Sequence, residues 1–157
     1  MDDTYKYKSV DVAAGIINEA NEKKVSINIT KLQKLLYIVY GIYLIACKQR
    51  LTEEHPRAWP YGSVFPVARC EFLDKMYRPL SDSMSLVTDC CNDSDVRSIV
   101  DFVLDSFGKW TAGQLTEWSH QPGSPWEKTT RRKCFRWGEA IDDGDICDFF
   151  SKLVEVN

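Results

Sequence analysis

Asn28 to Cys47 reads NITKLQKLLYIVYGIYLIAC, and from Leu35 to Cys47 every residue is apolar, aromatic or glycine. One stripe runs Ile29, Leu32, Leu36, Val39, Tyr43, Ala46, and a second runs Leu35, Ile38, Ile42, Ile45. Both advance by three or four residues, the period of an α-helix. A helix apolar on two stripes cannot lie on a surface and must be wrapped by the rest of the chain. Asn28 is placed to cap its first turn, and Ile27 and Leu32 occupy the positions of a hydrophobic staple. The unbroken apolar run is about 13 residues, short of the roughly 20 that a membrane span needs. The stretch is therefore expected to be a buried core helix over about 28–48, with no role for a membrane.

The flanks supply what would wrap it. Ser9 to about Glu22 carries Val12, Ile16 and Ala20 on one face, with Val10, Ala13 and Ile17 beside it, and Ser9 as its cap. After the central helix a loop with Pro56 and Pro60 leads into an irregular, aromatic turn from Ala58 to Phe65. Pro66 suits the first turn of a helix, where a missing amide costs nothing. Val67, Cys70, Phe72, Leu73, Met76 and Tyr77 would give that helix a broad apolar face, ended by Arg78-Pro79. Residues 81–95 are polar and acidic, a loop with at most one short strand. Asp93 or Ser94 then caps a helix with the stripe Val96, Ile99, Val100, Val103, Leu104, Phe107, stopped at Gly108. Thr111 and Gln114 form a capping box ahead of Leu115 and Trp118. SHQPGSPW follows as a loop, and the basic stretch Lys128 to Arg136 has helical character. Asp142 caps a last helix with Ile146, Phe149, Phe150 and Leu153 inward, stapled by Ile141 to Ile146. The sum is a mainly α, single-domain chain (1–157) of about six helices around one rod.

Composition bounds the rest. Among the 157 residues 44% are hydrophobic and 27% charged, with a net charge of −3, which gives no global pull toward nucleic acid or acidic membrane. The N-terminus, MDDTYKYKS, lacks an apolar leader segment, so a cytoplasmic location is expected. Six cysteines stand without a Cys-x-x-Cys pair and beside only two histidines. They are expected to be reduced structural thiols, with Cys47 and Cys147 packing as small hydrophobes, and neither metal nor cofactor is called for.

For catalysis, a cysteine nucleophile would need His55 or His120 as base, and neither has a neighbouring signature. Glu53-Glu54 reads as a solvated loop pair and Asp142-Asp143 as a helix start that favours negative charge. Lys128, Arg131, Arg132, Lys133 and Arg136 make a basic patch interleaved with Phe135 and Trp137, suited either to an anionic partner or to a solvated face near the acidic 142–148 segment. Trp59, Tyr61 and Phe65 crowd one loop; Trp118, His120 and Trp126 crowd another. Such aromatics either pin loops to a core or face a protein partner.

Three segments carry a resemblance: KLQKLLYIVYGIYL (Lys31 to Leu44), RAWPYGSVFPVA (Arg57 to Ala68) and LTEWSHQPGSPW (Leu115 to Trp126). Their order and spacing resemble the Panacea domain family, SocA/GepA-like antitoxins often associated with phage, and AIDDGDICDFF is similar to that family's closing helix. The resemblance covers about residues 10–153. Ser63 stands where the family usually has proline, and Ser119 where threonine precedes the histidine. By the resemblance Trp59, Tyr61, Gly62, Pro66, His120, Ser124, Pro125 and Trp126 occupy motif positions. Gly62, Pro66 and Pro125 are expected to build the fold, while Trp59, Tyr61, His120, Ser124 and Trp126 are candidate partner contacts.

The family implies a bacterial or phage-borne antitoxin, not an enzyme, that neutralises a cognate toxin encoded nearby through protein–protein contact. Covering an active site, trapping an inactive conformation and delivery to a protease all remain open as its means, as does the oligomeric state. Two rival readings are a regulator that binds its own promoter DNA through the 128–136 stretch, and a cysteine/histidine hydrolase using His120. The net charge and the missing helix-turn-helix weigh against the first.

Overall fold

The computed structural model describes residues 4–75, 86 and 88–155. Its centre is helix α2 (Ile29–Cys47), on which α1 (Ser9–Glu22), α4 (Ser94–Phe107), α5 (Ala112–Ser119) and α7 (Asp143–Glu155) pack. The Asn28 side chain accepts from the Lys31 amide at 2.8 Å, and Lys48 closes the helix in a left-handed conformation, φ 56°. From Lys31 to Gly41 every residue is buried. By length and composition α2 is able to cross a bilayer, but 72% of its apolar window is buried inside this domain. Its last turn emerges instead: Ile42 and Ile45 are half-buried and Ala46 is exposed.

The mainly α expectation is borne out, with seven α-helices among the described residues rather than about six. The additional one, α6 (Pro125–Thr130), begins inside the segment read as a loop. Ser124 caps it, accepting from the Glu127 amide at 3.2 Å, and Pro125 fills its first position. The basic stretch is correspondingly not one helix. It leaves α6 after Thr130 and turns through Cys134 (φ 64°) and Gly138 (φ 98°). Elsewhere the local signals hold: Asp93 caps α4, the Thr111/Gln114 box is complete, and Asp142 caps α7 by accepting from Gly144 at 2.7 Å.

Two small ladders stand where no strand was expected. Strand β1 (Tyr5–Tyr7) runs parallel to β2 (Arg50–Thr52), while β3 (Arg57–Trp59) and β4 (Gly62–Val64) form a hairpin with Trp59 opposite Gly62. A bridge from Arg57 to Ala140 ties the hairpin to the segment before α7. Helix α3 (Pro66–Leu73) buries only Ala68 and Phe72; Val67 and Cys70 are exposed, so its apolar face is narrower than expected. Met76, Tyr77 and the Arg78-Pro79 stop lie outside the described residues. So do residues 81–85 and 87; the described part of 81–95 holds a 3-10 turn (Cys90–Asn92) and no strand.

Glu53 and Glu54 correct a second expectation. Rather than a solvated pair, they serve two helix N-termini, a favourable place for negative charge. Glu53 accepts from the Ser9 amide at 2.9 and 3.0 Å, while Glu54 accepts from the Ser9 hydroxyl and from the amides of Val67 (3.0 Å) and Ala68 (3.2 Å). Ser9 is thus the first helical residue of α1, and its cap comes from a carboxylate far away in sequence.

An aromatic seam joins four helices. Tyr37 of α2 meets Phe150 of α7 at 5.5 Å, Phe150 meets Trp118 of α5 at 6.2 Å, and Trp118 meets Phe107 of α4 at 5.5 Å. Gly41 is what lets Phe150 in: a Cβ there would fall inside the van der Waals shell of three carbons of its ring. Gly41→Ala is expected to cost about 2 kcal/mol through overpacking, a fall in melting temperature of roughly 4–8 °C. Partial restoration by a second change, Phe150→Leu, would show that the ring is the obstacle.

Candidate functional site

The three motif segments converge on one point behind the β3–β4 hairpin. Lys34, buried to 2% exposure on α2, donates from Nζ to the carbonyl of Ser63 at 2.9 Å. Gly62 stands at φ 114°, and a Cβ there would lie 2.7 Å from the Ser119 hydroxyl and 2.9 Å from Lys34 Cε. Only glycine both adopts that backbone and lets α2, the hairpin and the end of α5 meet. Gln33 supports the same hairpin one residue away, accepting from the Phe65 amide at 2.7 Å.

His120 follows Ser119 as the C-cap of α5 and stacks on Trp126 of α6, with ring centroids 3.8 Å apart and 20° between planes. The Trp126 indole N–H donates to the Trp59 carbonyl at 2.7 Å, which closes the ring of contacts back onto the hairpin. Trp59 and Trp126 are half-buried, Ser124 caps α6, and Tyr61 at the hairpin tip is 71% exposed. Pro66 and Pro125 each occupy a first helical turn. Two polar atoms of the cluster, Ser63 Oγ and His120 Nε2, are buried without a hydrogen-bond partner.

The electrostatics follow from burial. Removal from water holds the Lys34 ammonium down to about 8, and the His120 imidazole is lowered by its own burial and then by the Lys34 charge. Tyr37 and Tyr40 are pushed up chiefly by burial, Tyr40 also by the hydrogen bond it donates to Asp143 at 2.6 Å. Ser119 donates to the Thr116 carbonyl at 2.8 Å, and among the described residues no cysteine hydrogen-bonds His120 or His55. All six thiols are free, and Cys70 and Cys134 are exposed rather than packed. No group of three His, Cys, Asp or Glu among the described residues is arranged to hold a metal.

The family described as antitoxin SocA-like, Panacea domain, matches residues 32–127, a span running from the first turn of α2 through Trp126. The chain belongs to this family. Antitoxin SocA of Caulobacter vibrioides (strain NA1000 / CB15N) is 28% identical over 132 residues, covering 76% of this chain and 70% of that protein. No solved structure matches. The matched span contains Lys34, Gly62, His120 and Trp126, so the family region includes the whole convergence behind the hairpin.

The basic patch lies beyond that span. Lys128, Arg131, Arg132, Lys133 and Arg136 are all exposed; Arg132 pairs with Asp145 at 2.8 Å and Arg131 with Glu127 at 3.7 Å. His55 sits apart from His120, 3.8 Å from Asp143, in an open cleft that also includes Arg132. Sequence reasoning missed Lys34, Lys31 and Gln33, because a polar residue in the first turns of an apolar helix reads as its wet end.

Lys34 gives a stability test. Between pH 8 and 10 the unfolded chain still holds a proton that the folded lysine has released, so stability is expected to rise with pH there. The full difference from the ordinary value of 10.5 to about 8 corresponds to about 3 kcal/mol. Above pH 10 the raised tyrosines, Tyr7 and Tyr43 among them at about 12, oppose it. Lys31, lowered by burial, and the raised thiols of Cys47 and Cys147 titrate in the same window in both proteins. In urea unfolding across pH 7–10 the wild type should therefore gain stability relative to Lys34→Met as pH rises, and that difference is the signature of Lys34.

Proposed function

We propose that this protein is the antitoxin of a toxin–antitoxin pair. It silences a cognate toxin, encoded nearby, by direct protein–protein contact in the cytoplasm and performs no catalysis of its own. The observation that carries this reading is membership of the SocA-like antitoxin family across residues 32–127. The surface supports it: Tyr61 at 71% and Trp137 at 57% exposure flank the motif cluster, and exposed Tyr and Trp are the residues that anchor protein interfaces. His120 supports the non-catalytic part, since its ring is engaged by Trp126 and no nucleophile among the described residues hydrogen-bonds it.

The test is growth of cells that express the neighbouring gene alone and then together with this protein. Arrest in the first case, rescue in the second and co-purification of the pair are expected. A pair that fails to associate while toxicity persists overturns the reading. Tyr61→Ala should weaken the complex by roughly tenfold or more if the hairpin tip is an anchor. Its melting temperature should stay unchanged, because the side chain touches little of its own fold.

A further inference from the structure

The aromatic cluster does not end at Trp126. Trp137 lies beside it at 6.3 Å between centroids, and Phe135 meets Trp137 edge-on at 5.1 Å. Trp126, Trp137 and Phe135 thus form a strip of rings along the 131–139 loop, tied to the hairpin by the bond from the Trp126 indole to the Trp59 carbonyl. Cations border it. The Arg69 guanidinium sits 5.3 Å from the centroid of Trp59, Arg57 donates to the Gly138 carbonyl at 2.9 Å, and Lys133 and Arg136 flank Phe135 in the loop.

These cations are uncompensated. Residues 128–136 contain five cations and no carboxylate, in a chain whose net charge is −3. Arg131 and Arg132 are taken by Glu127 and Asp145, but Arg69, Lys133 and Arg136 form no ion pair with a described residue. Glu139, in the same loop, accepts from the Arg136 amide at 3.1 Å. The local excess therefore runs against the sign of the whole molecule and sits around exposed indole.

We propose that this strip, with Arg69, Lys133 and Arg136 at its margin, docks an acidic, aromatic-bearing segment of a protein partner. The proposal deepens the antitoxin reading and rests on it for the partner's identity. Trp, Tyr and Arg are the residues enriched at protein interfaces, and a cationic rim selects a partner of opposite sign. A protein fits better than nucleic acid. Stacking a base needs open ring faces, whereas one face of Trp59 is under Arg69 and one face of Trp126 is against His120. Lys133 and Arg136 lie outside the span 32–127 that the family model matches.

The probe is a poly(Glu,Tyr) copolymer, titrated into the full chain and followed by tryptophan fluorescence. Binding that weakens with salt is expected for wild type. Lys133→Glu with Arg136→Glu should bind about tenfold more weakly or worse, and Trp137→Ala should also lose affinity. Lys133 and Arg136 are exposed, so the circular dichroism melt of the double variant should match wild type. Trp137→Ala, which removes the ring contact with Phe135, should melt slightly lower with an unchanged far-ultraviolet spectrum. A copolymer that does not bind, or binds the double variant as well as wild type, overturns the proposal. So does a single-stranded or duplex oligonucleotide of equal charge that binds more tightly than the copolymer. The growth assay separates the two claims: rescue by wild type and equally by the double variant leaves the antitoxin reading standing and removes this face. Copolymer binding without rescue by wild type removes the antitoxin reading alone.

Discussion

A buried helix with polar residues on it has to find them partners, and in this protein that requirement places the loops. Lys31, Gln33 and Lys34 lie in the part of α2 that is covered on every side. Buried polar groups left unpaired cost more than the bonds they make are worth, and each of the three bonds to main chain outside α2. Lys31 donates to the carbonyls of Ser26 and Gly108, fastening the turn after α1 and the end of α4. Gln33 takes the Phe65 amide and Lys34 the Ser63 carbonyl, and together they fasten the hairpin. The apolar stripes of α2 hold helices; Lys31, Gln33 and Lys34 hold what lies between them.

This division explains which parts of the chain were legible in its sequence. Helices whose signals are local could be read residue by residue: the 3.6-residue stripes, the Asn28, Asp93 and Asp142 caps, and the Thr111/Gln114 box all sit within a few positions of what they stabilise. What escaped is stabilised from a distance. Strand β1 pairs with β2 across more than forty residues, and three-residue strands carry no alternation to detect. Glu53 and Glu54 cap helices that begin at Ser9 and Pro66, so nothing beside them in sequence marks them as caps. Helix α6 has six residues, too few for a stripe, and announced itself only through Ser124 and Pro125.

The candidate site divides the same way. The motif singled out Trp59, Gly62, His120 and Trp126; that they meet was not legible, because Trp126 reaches both His120 and Trp59 across the fold and Lys34 holds Ser63 beside Gly62. Their contacts with one another point inward: a stack, an indole hydrogen bond and a glycine with no room for a side chain. The basic stretch was legible as charge but not as shape, since its turn through Cys134 and Gly138 depends on left-handed backbone at a residue other than glycine.

The two sides of the hairpin are therefore coupled. Pro60 and Tyr61 are the two residues of its tip, and the strands beneath them are pinned by Lys34 from α2, by Trp126 from α6 and by the bridge to Ala140. An aromatic side chain held out on a braced turn gives up little conformational entropy when a partner covers it, which is how preorganisation strengthens binding without adding contacts. The buried ammonium is costly to its own fold, and with no donor there the Ser63 carbonyl would be buried unpaired. Holding Ser63 fixes Gly62, and Gly62 sets the direction in which Tyr61 projects. In this fold a buried ammonium and the most exposed aromatic among the described residues belong to one mechanical unit.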